Sequence, residues 1–163
     1  MNIIIGIDPG TTKSAWVIYD GESKKILSKR IDCNTDLLAQ LYNIETDRRV
    51  FVFEWIESYG MPVGKEVFET IWWIGRFWEA LGDVQKERIY RSDIKTHLCG
   101  SRRAKDSNIR QALLDKFQGS GGGKCPQVGT KKKPGPLYGI SKDLWSAVAI
   151  AVTYWEKRKY EIC

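Results

Sequence analysis

The sequence predicts an α/β domain, a mixed five-stranded sheet flanked by helices. Three observations carry this. Residues 3–8 and 50–55 are short runs of β-branched and aromatic side chains, the composition of strands buried on both faces. Residues 65–81 repeat apolar side chains at steps of three and four, the period of a helix. Between the two apolar runs, Pro9-Gly10 and Asp20-Gly21 mark turns at the spacing of a strand meander.

In chain order, residues 3–8 form the first strand and end on Asp8. Residues 13–19 resume as the second strand, and Asp20-Gly21 turns the chain so that residues 24–31 return antiparallel. A short helix over 36–42 leads to the strand over 50–55, which carries Glu54 near its end. The helix over 65–81 aligns Val67, Ile71, Ile74, Trp78 and Leu81 in one stripe. Trp72, Trp73 and Phe77 widen it, which predicts packing on two sides. A short strand follows over 88–91, then a helix over 107–117 with Asp106 at its start. Residues 118–136 are rich in glycine and proline and hold Lys131, Lys132 and Lys133; they predict a mobile basic loop too polar to pack. The last helix is expected over 142–157, with Ser141 as N-cap and Asp143 in its first turn. Its Ala147, Val148, Ile150, Ala151 and Tyr154 would face the sheet.

The 163 residues suit a single domain spanning 1–163, and 42% hydrophobic with 28% charged side chains is a globular balance. No apolar run approaches the ~20 residues of a membrane span. The opening residues have no basic leader, so a cytoplasmic protein is expected. Charge is uneven: of the net +6, residues 1–81 contribute −3 and residues 82–163 contribute +9. A basic second half suits a polyanionic partner such as nucleic acid, or it is simply a solvated surface. Cys33, Cys99, Cys125 and Cys163 form no paired motif, and His97 is the one histidine. Free thiols are therefore expected rather than a zinc site.

The acids carry the chemistry. Asp8 and Glu54 end strands that would lie parallel, at the sheet edge where α/β proteins bind ligands, and Asp143 could approach from the side. Carboxylates without histidine or thiolate suit Mg²⁺ or Mn²⁺, and two such ions can clamp a phosphodiester for hydrolysis. Each acid also has a plainer reading. Asp8 could form the turn, and Asp143 or Asp106 could favour a helix dipole; a buried Glu54, by contrast, is costly unless used. Glu57 follows in a loop where exposure would explain it, and His97 reads as structural.

Ile5-Gly6-Ile7-Asp8-Pro9-Gly10, Phe53-Glu54 and a late acid before Ala147-Val148-Ala149-Ile150-Ala151 resemble the RuvC-like Holliday-junction resolvases. Ser58-Tyr59-Gly60-Met61-Pro62, Phe68-Glu69-Thr70, Ala104-Lys105-Asp106-Ser107 and Lys133-Pro134-Gly135-Pro136 resemble their small, phage-encoded branch. The resemblance implies a ribonuclease H-like (retroviral integrase superfamily) fold and a Mg²⁺- or Mn²⁺-dependent endonuclease. It implies a homodimer that nicks four-way DNA junctions symmetrically, in the host cytoplasm if phage-encoded. Metal ligands would be Asp8, Glu54 and Asp143, with Asp106 a possible additional acid. The family's last helix begins with two acidic or histidine positions three apart, and here the second is Ser146, a departure: either Asp143 alone completes the site, or another acid such as Asp106 helps, or the metal count is reduced. The family's basic loop resembles Ser101-Arg102-Arg103-Ala104-Lys105, so Arg102, Arg103 and Lys105, with Lys131, Lys132 and Lys133, would contact phosphates. Tyr59 and Met61 would either wedge into an opened junction or pack.

Alternatives stay open. A flap or other branched-DNA nuclease, or a ribonuclease of the same fold, would share the site, and a non-catalytic junction-binding protein would have lost the acid at 146. Asp8-Pro9-Gly10-Thr11-Thr12 also looks like the phosphate loop of actin-like ATPases, but those need two such domains, so no nucleotide cofactor is expected.

Overall fold

The computed structural model describes residues 2–161. Strands β1 (Ile3–Asp8), β2 (Lys13–Asp20) and β3 (Lys25–Cys33) form the meander, followed by α1 (Asn34–Asn43), β4 (Arg49–Trp55) and α2 (Lys65–Ala80). Then come β5 (Lys86–Tyr90), α3 (Arg91–Cys99), α4 (Asp106–Lys116) and α5 (Leu144–Glu161). The sheet order is β3-β2-β1-β4-β5. β1 pairs antiparallel with β2 and parallel with β4, and β5 continues parallel beyond β4.

Strand alternation divides the core. Ile5, Ile7, Phe51 and Phe53 point to one face and pack with Leu37 and Leu41 of α1 and Phe77 of α2. Ile4, Val50 and Val52 point to the other and pack with Ala147, Val148 and Ala151 of α5. The same period of two puts Asp8 and Glu54 on the α5 side. Their face is therefore set by the burial of Ile4 and Val52, through register.

The structure corrects several expectations. Residues 91–99 form a helix that the sequence does not announce, because only Ile94, Leu98 and Cys99 are apolar there and Tyr90 runs into it without a turn residue. Arg91 thus opens α3 instead of ending β5. The buried stripe of α2 is Thr70, Ile74, Phe77 and Leu81, with Trp73 and Trp78 half-covered; Ile71, Trp72 and Phe68 are exposed, so α2 packs on one side. The Trp-rich run is apolar enough to support a stripe at either angle, and the sheet selects one.

Residues 118–136 also pack, contrary to expectation. Backbone bonds tie Gly121 to Pro126, Gly122 to Lys133 and Gly135 to Val128, and Val128 rests on the core. Glycine makes this possible: a Cβ on Gly135 would lie 2.3 Å from the Pro126 carbonyl oxygen. Asp143 precedes α5 rather than sitting in its first turn. Its carbonyl accepts the Ala147 N–H at 3.1 Å, the bond of an N-cap position, so Asp143 and not Ser141 opens the helix. Cys33, Cys99 and Cys125 are free thiols, while Cys163 lies outside the described residues. Among the described residues, no helix is long and apolar enough to cross a membrane.

Candidate active site

Parallel register assembles the site. Ile7 lies beside Phe53, which sets Asp8 beside Glu54; Trp55 lies beside Tyr90, which sets Arg91 one step further along the same edge. The turn after Asp8 is braced from below. Ser14 receives the Gly10 N–H (3.2 Å) and donates to Asn34 (2.7 Å), and Asn34 donates to the Gly10 carbonyl (2.9 Å). The fourth wall is α5. Lys142 adopts a left-handed φ of 48°, a strained state for a lysine, immediately before Asp143.

The electrostatics of the cluster are those of crowded acids. Burial pushes the Asp8 carboxyl up to about 8, with the charges of Glu54 and Asp143 adding to the shift, while Arg91 and a hydrogen bond from Ser146 oppose it. Burial likewise raises Glu54, against the pull of Arg91. Arg91 stands among them. Its Nη1 donates to Glu54 Oε2 (3.4 Å) and Ser146 Oγ (3.2 Å), and its Nη2 donates to Asp106 Oδ1 (2.5 Å). Burial works against the Arg91 charge, but Glu54, Asp106 and Asp8 outweigh it and hold the guanidinium charged.

Register sets Asp8 beside Glu54, the Asp143 charge reaches Asp8, and Arg91 links Asp106 to Glu54. A cavity lined by Arg91, Asp106, Arg110, Asp143, Trp145 and Ser146 opens beside them, with the Arg110 guanidinium 4.8 Å above the Trp145 ring. A second cavity, lined by Tyr19, Phe117 and Trp155, lies at the opposite end of the sheet; its Glu156 is already bonded to Lys116 and His97. That bond gives His97 the structural role expected of it.

The basic residues are dispersed. Lys105 N–H donates to the Asn108 side chain at the start of α4, and Arg103 is exposed. Arg102 pairs with Glu57 at 3.3 Å, and Glu57 also accepts from Tyr59 at 2.9 Å. Exposure is thus not the whole account of Glu57: hydrogen bonds from Ser92 and Tyr59 and the Arg102 charge hold its carboxyl below the usual range. Lys131, Lys132 and Lys133 lie exposed on the glycine-knit loop. Packing does not explain Tyr59 or Met61, which are 64% and 71% exposed.

Arg91 is the residue of this cluster that sequence reasoning missed. Its place, the first residue of α3 directly after β5, is visible only once β5 is known to pair with β4.

As a metal site the donors fit a hard divalent ion: carboxylate and hydroxyl oxygens, partly buried and mutually repelling. Among the described residues, no group of three or more His, Cys, Asp or Glu side chains is placed to hold a metal ion by itself.

No family model matches the chain, and no curated protein matches it. Its fold, however, is found among solved structures. Thermus thermophilus RuvC superposes with a TM-score of 0.66 at 16% identity, over 97% of this chain and 96% of that one. T. thermophilus RuvC in complex with its Holliday junction substrate gives 0.63 at 16% identity, over 98% and 96%. The mixed five-stranded sheet with flanking helices is thus the ribonuclease H-like fold of RuvC.

Proposed function

We propose that this chain is a metal-dependent, structure-selective endonuclease that resolves four-way DNA junctions by paired nicks, as a homodimer. The observation that carries the reading is the placing of Asp8 beside Glu54 at one sheet edge, within reach of the Asp143 charge and beside an open cavity, on a fold shared with a junction-binding protein.

Asp8, Glu54 and Asp143 would hold Mg²⁺ or Mn²⁺. A bound divalent ion supplies Lewis-acid polarisation of the phosphate and a lowered pKa for its water. The chain supplies the rest. Ser14 and Asn34 fix the turn that aims Asp8. Arg110 and Lys142 flank the cavity with positive charge for the phosphodiester. Arg102, Arg103 and Lys105, on the segment leading into α4, and Lys131, Lys132 and Lys133, on their loop, extend that charge along the DNA arms. Backbone contacts of this kind position DNA without reading bases, so selectivity would rest on junction shape. The exposed Tyr59 and Met61 suit contact with opened bases.

The exposed face of α2 supports the dimer. Phe68, Ile71 and Trp72 project from it, and Tyr42 of α1 is exposed too. Gly75 sits mid-helix, where a Cβ would meet nothing within 4 Å. Glycine there costs the helix about 1 kcal/mol with no return inside the chain. Close approach of a second copy's helix would account for both features.

The test is incision of a synthetic four-way junction beside linear duplex, a 5′ flap and an RNA–DNA hybrid, in Mg²⁺, Mn²⁺ and chelator. Symmetric nicks in the junction alone, dependent on metal and lost in Asp8→Asn, support the reading. Cleavage of flaps or hybrid with equal speed, or tight junction binding without nicks, overturns it.

A further inference from the structure

We propose that Arg91 is a built-in cation standing in the place of a second divalent ion, so that each chain holds one metal ion rather than two. The inference rests on the proposed metal-binding role of Asp8, Glu54 and Asp143. It concerns what occupies the far side of that cluster.

The geometry is specific. The Arg91 guanidinium reaches three different elements from the first residue of α3: Glu54 on β4, Ser146 on α5 and Asp106 at the start of α4. Its side chain is 24% exposed, and its Glu54 partner 19%. A planar guanidinium presents up to five N–H donors in a fixed fork and keeps its charge at any working pH. It thus does permanently what a metal ion would do there: it neutralises Glu54 and Asp106 and ties their elements together.

Ser146 fits the same arrangement. Its hydroxyl accepts from Arg91 and hydrogen-bonds to Asp8. The oxygen between the arginine and the first-strand acid is therefore uncharged. A carboxylate at 146 would be one more acid for the Arg91 charge to balance; a hydroxyl leaves that charge to Glu54 and Asp106. A divalent ion seated against Glu54 and Asp106 would have to displace the guanidinium or meet its like charge at close range. The Asp8 and Asp143 side of the cluster carries no direct bond from Arg91, and it is the side left for metal.

The experiment is a titration of the full chain with Mn²⁺ in the absence of DNA, read by calorimetry and by electron paramagnetic resonance. Wild type is expected to bind one ion per chain. Arg91→Lys keeps the charge and should also bind one; Arg91→Gln vacates the place and should bind two. Ser146→Asp, which retains Arg91, should still bind one, and it keeps the proposal testable if Arg91→Gln does not fold. Two ions in wild type or in Ser146→Asp, or a single ion in folded Arg91→Gln, overturns the proposal. Asp8→Asn separates the two levels. Loss of the ion there leaves only the Arg91 claim at stake. Binding unchanged from wild type would remove the metal site itself, and this inference with it.

Discussion

Gly6 of β1 lies against Ala147 of α5 so closely that a Cβ on the glycine would stand 2.5 Å from the Ala147 carbonyl oxygen and 3.0 Å from the Ala151 Cβ. Two residues after Gly6 the strand ends in Asp8; four residues before Ala147 stands Asp143. The missing side chain therefore sets how near the two acids come. A larger residue at position 6 would lift the helix, and Asp143 and Ser146 with it.

Gly6→Ala should for that reason cost about 2–3 kcal/mol, the upper range for overpacking a core against backbone that cannot yield. Urea unfolding of the variant measures it. A midpoint equal to wild type would mean that α5 is free to move away.

Asp8→Asn and Glu54→Gln each remove a carboxylate from the proposed metal site. Incision should fall by about 10²- to 10³-fold, the loss typical of removing a group that stabilises transition-state charge. Junction affinity should stay within a few-fold of wild type, since neither acid attracts a phosphate. Single-turnover incision and gel-shift titration separate the two effects.

Stability should depend on pH in the absence of metal, and the sign follows from Asp8. Its carboxyl titrates at about 8 in the folded chain against an ordinary value of 3.8, so the folded state binds the proton more tightly between those limits. Stability in chelator should therefore fall as pH rises from about 4 to about 8 and level off beyond. A tenfold difference in proton affinity between the folded and unfolded chain corresponds to about 1.4 kcal/mol, and partial exposure reduces the total to on the order of 2–3 kcal/mol. Glu54, raised in the same direction, adds to the slope. Asp8→Asn or saturating Mg²⁺ should flatten it. Denaturant midpoints at pH 5 and 8 check this.

Salt dependence tests the basic segments. Each phosphate that a variant no longer neutralises should lower the log–log slope of junction affinity by about 0.9 on duplex arms. Replacing Arg102, Arg103 and Lys105 by alanine should flatten the slope accordingly, as should replacing Lys131, Lys132 and Lys133. A slope unchanged in the second set would leave that loop a solvated surface.

Trp72→Glu places a charge on the exposed face of α2, where the ring meets Trp73 (5.0 Å between centroids) and the Arg76 guanidinium rather than a fully buried residue. The variant should keep its fold and sediment as a monomer under conditions where wild type is a dimer. A monomeric wild type would count against the homodimer.

What is legible in the residue order is what local periodicity encodes. Unbroken apolar runs ending in Asp8 and Glu54 place both acids at strand ends, and the Pro9-Gly10 and Asp20-Gly21 turns place the meander. Charge balance separates an acidic first half from a basic second. Other features depend on which elements meet. The face that α2 buries is ambiguous because tryptophans lie all around it, and only the sheet beneath could choose Phe77 over Ile71. The loop over 118–136 looks unable to pack because its cohesion is hydrogen bonding from glycine N–H groups to backbone carbonyls, which leaves no hydrophobic pattern. Arg91 stays hidden because its neighbours along the chain say nothing of Glu54, Asp106 or Ser146, which lie 37, 15 and 55 residues away. Sequence alone determined which acids would stand at strand ends; only tertiary structure decided which cation stands among them, because parallel register and helix packing join residues that no local period connects.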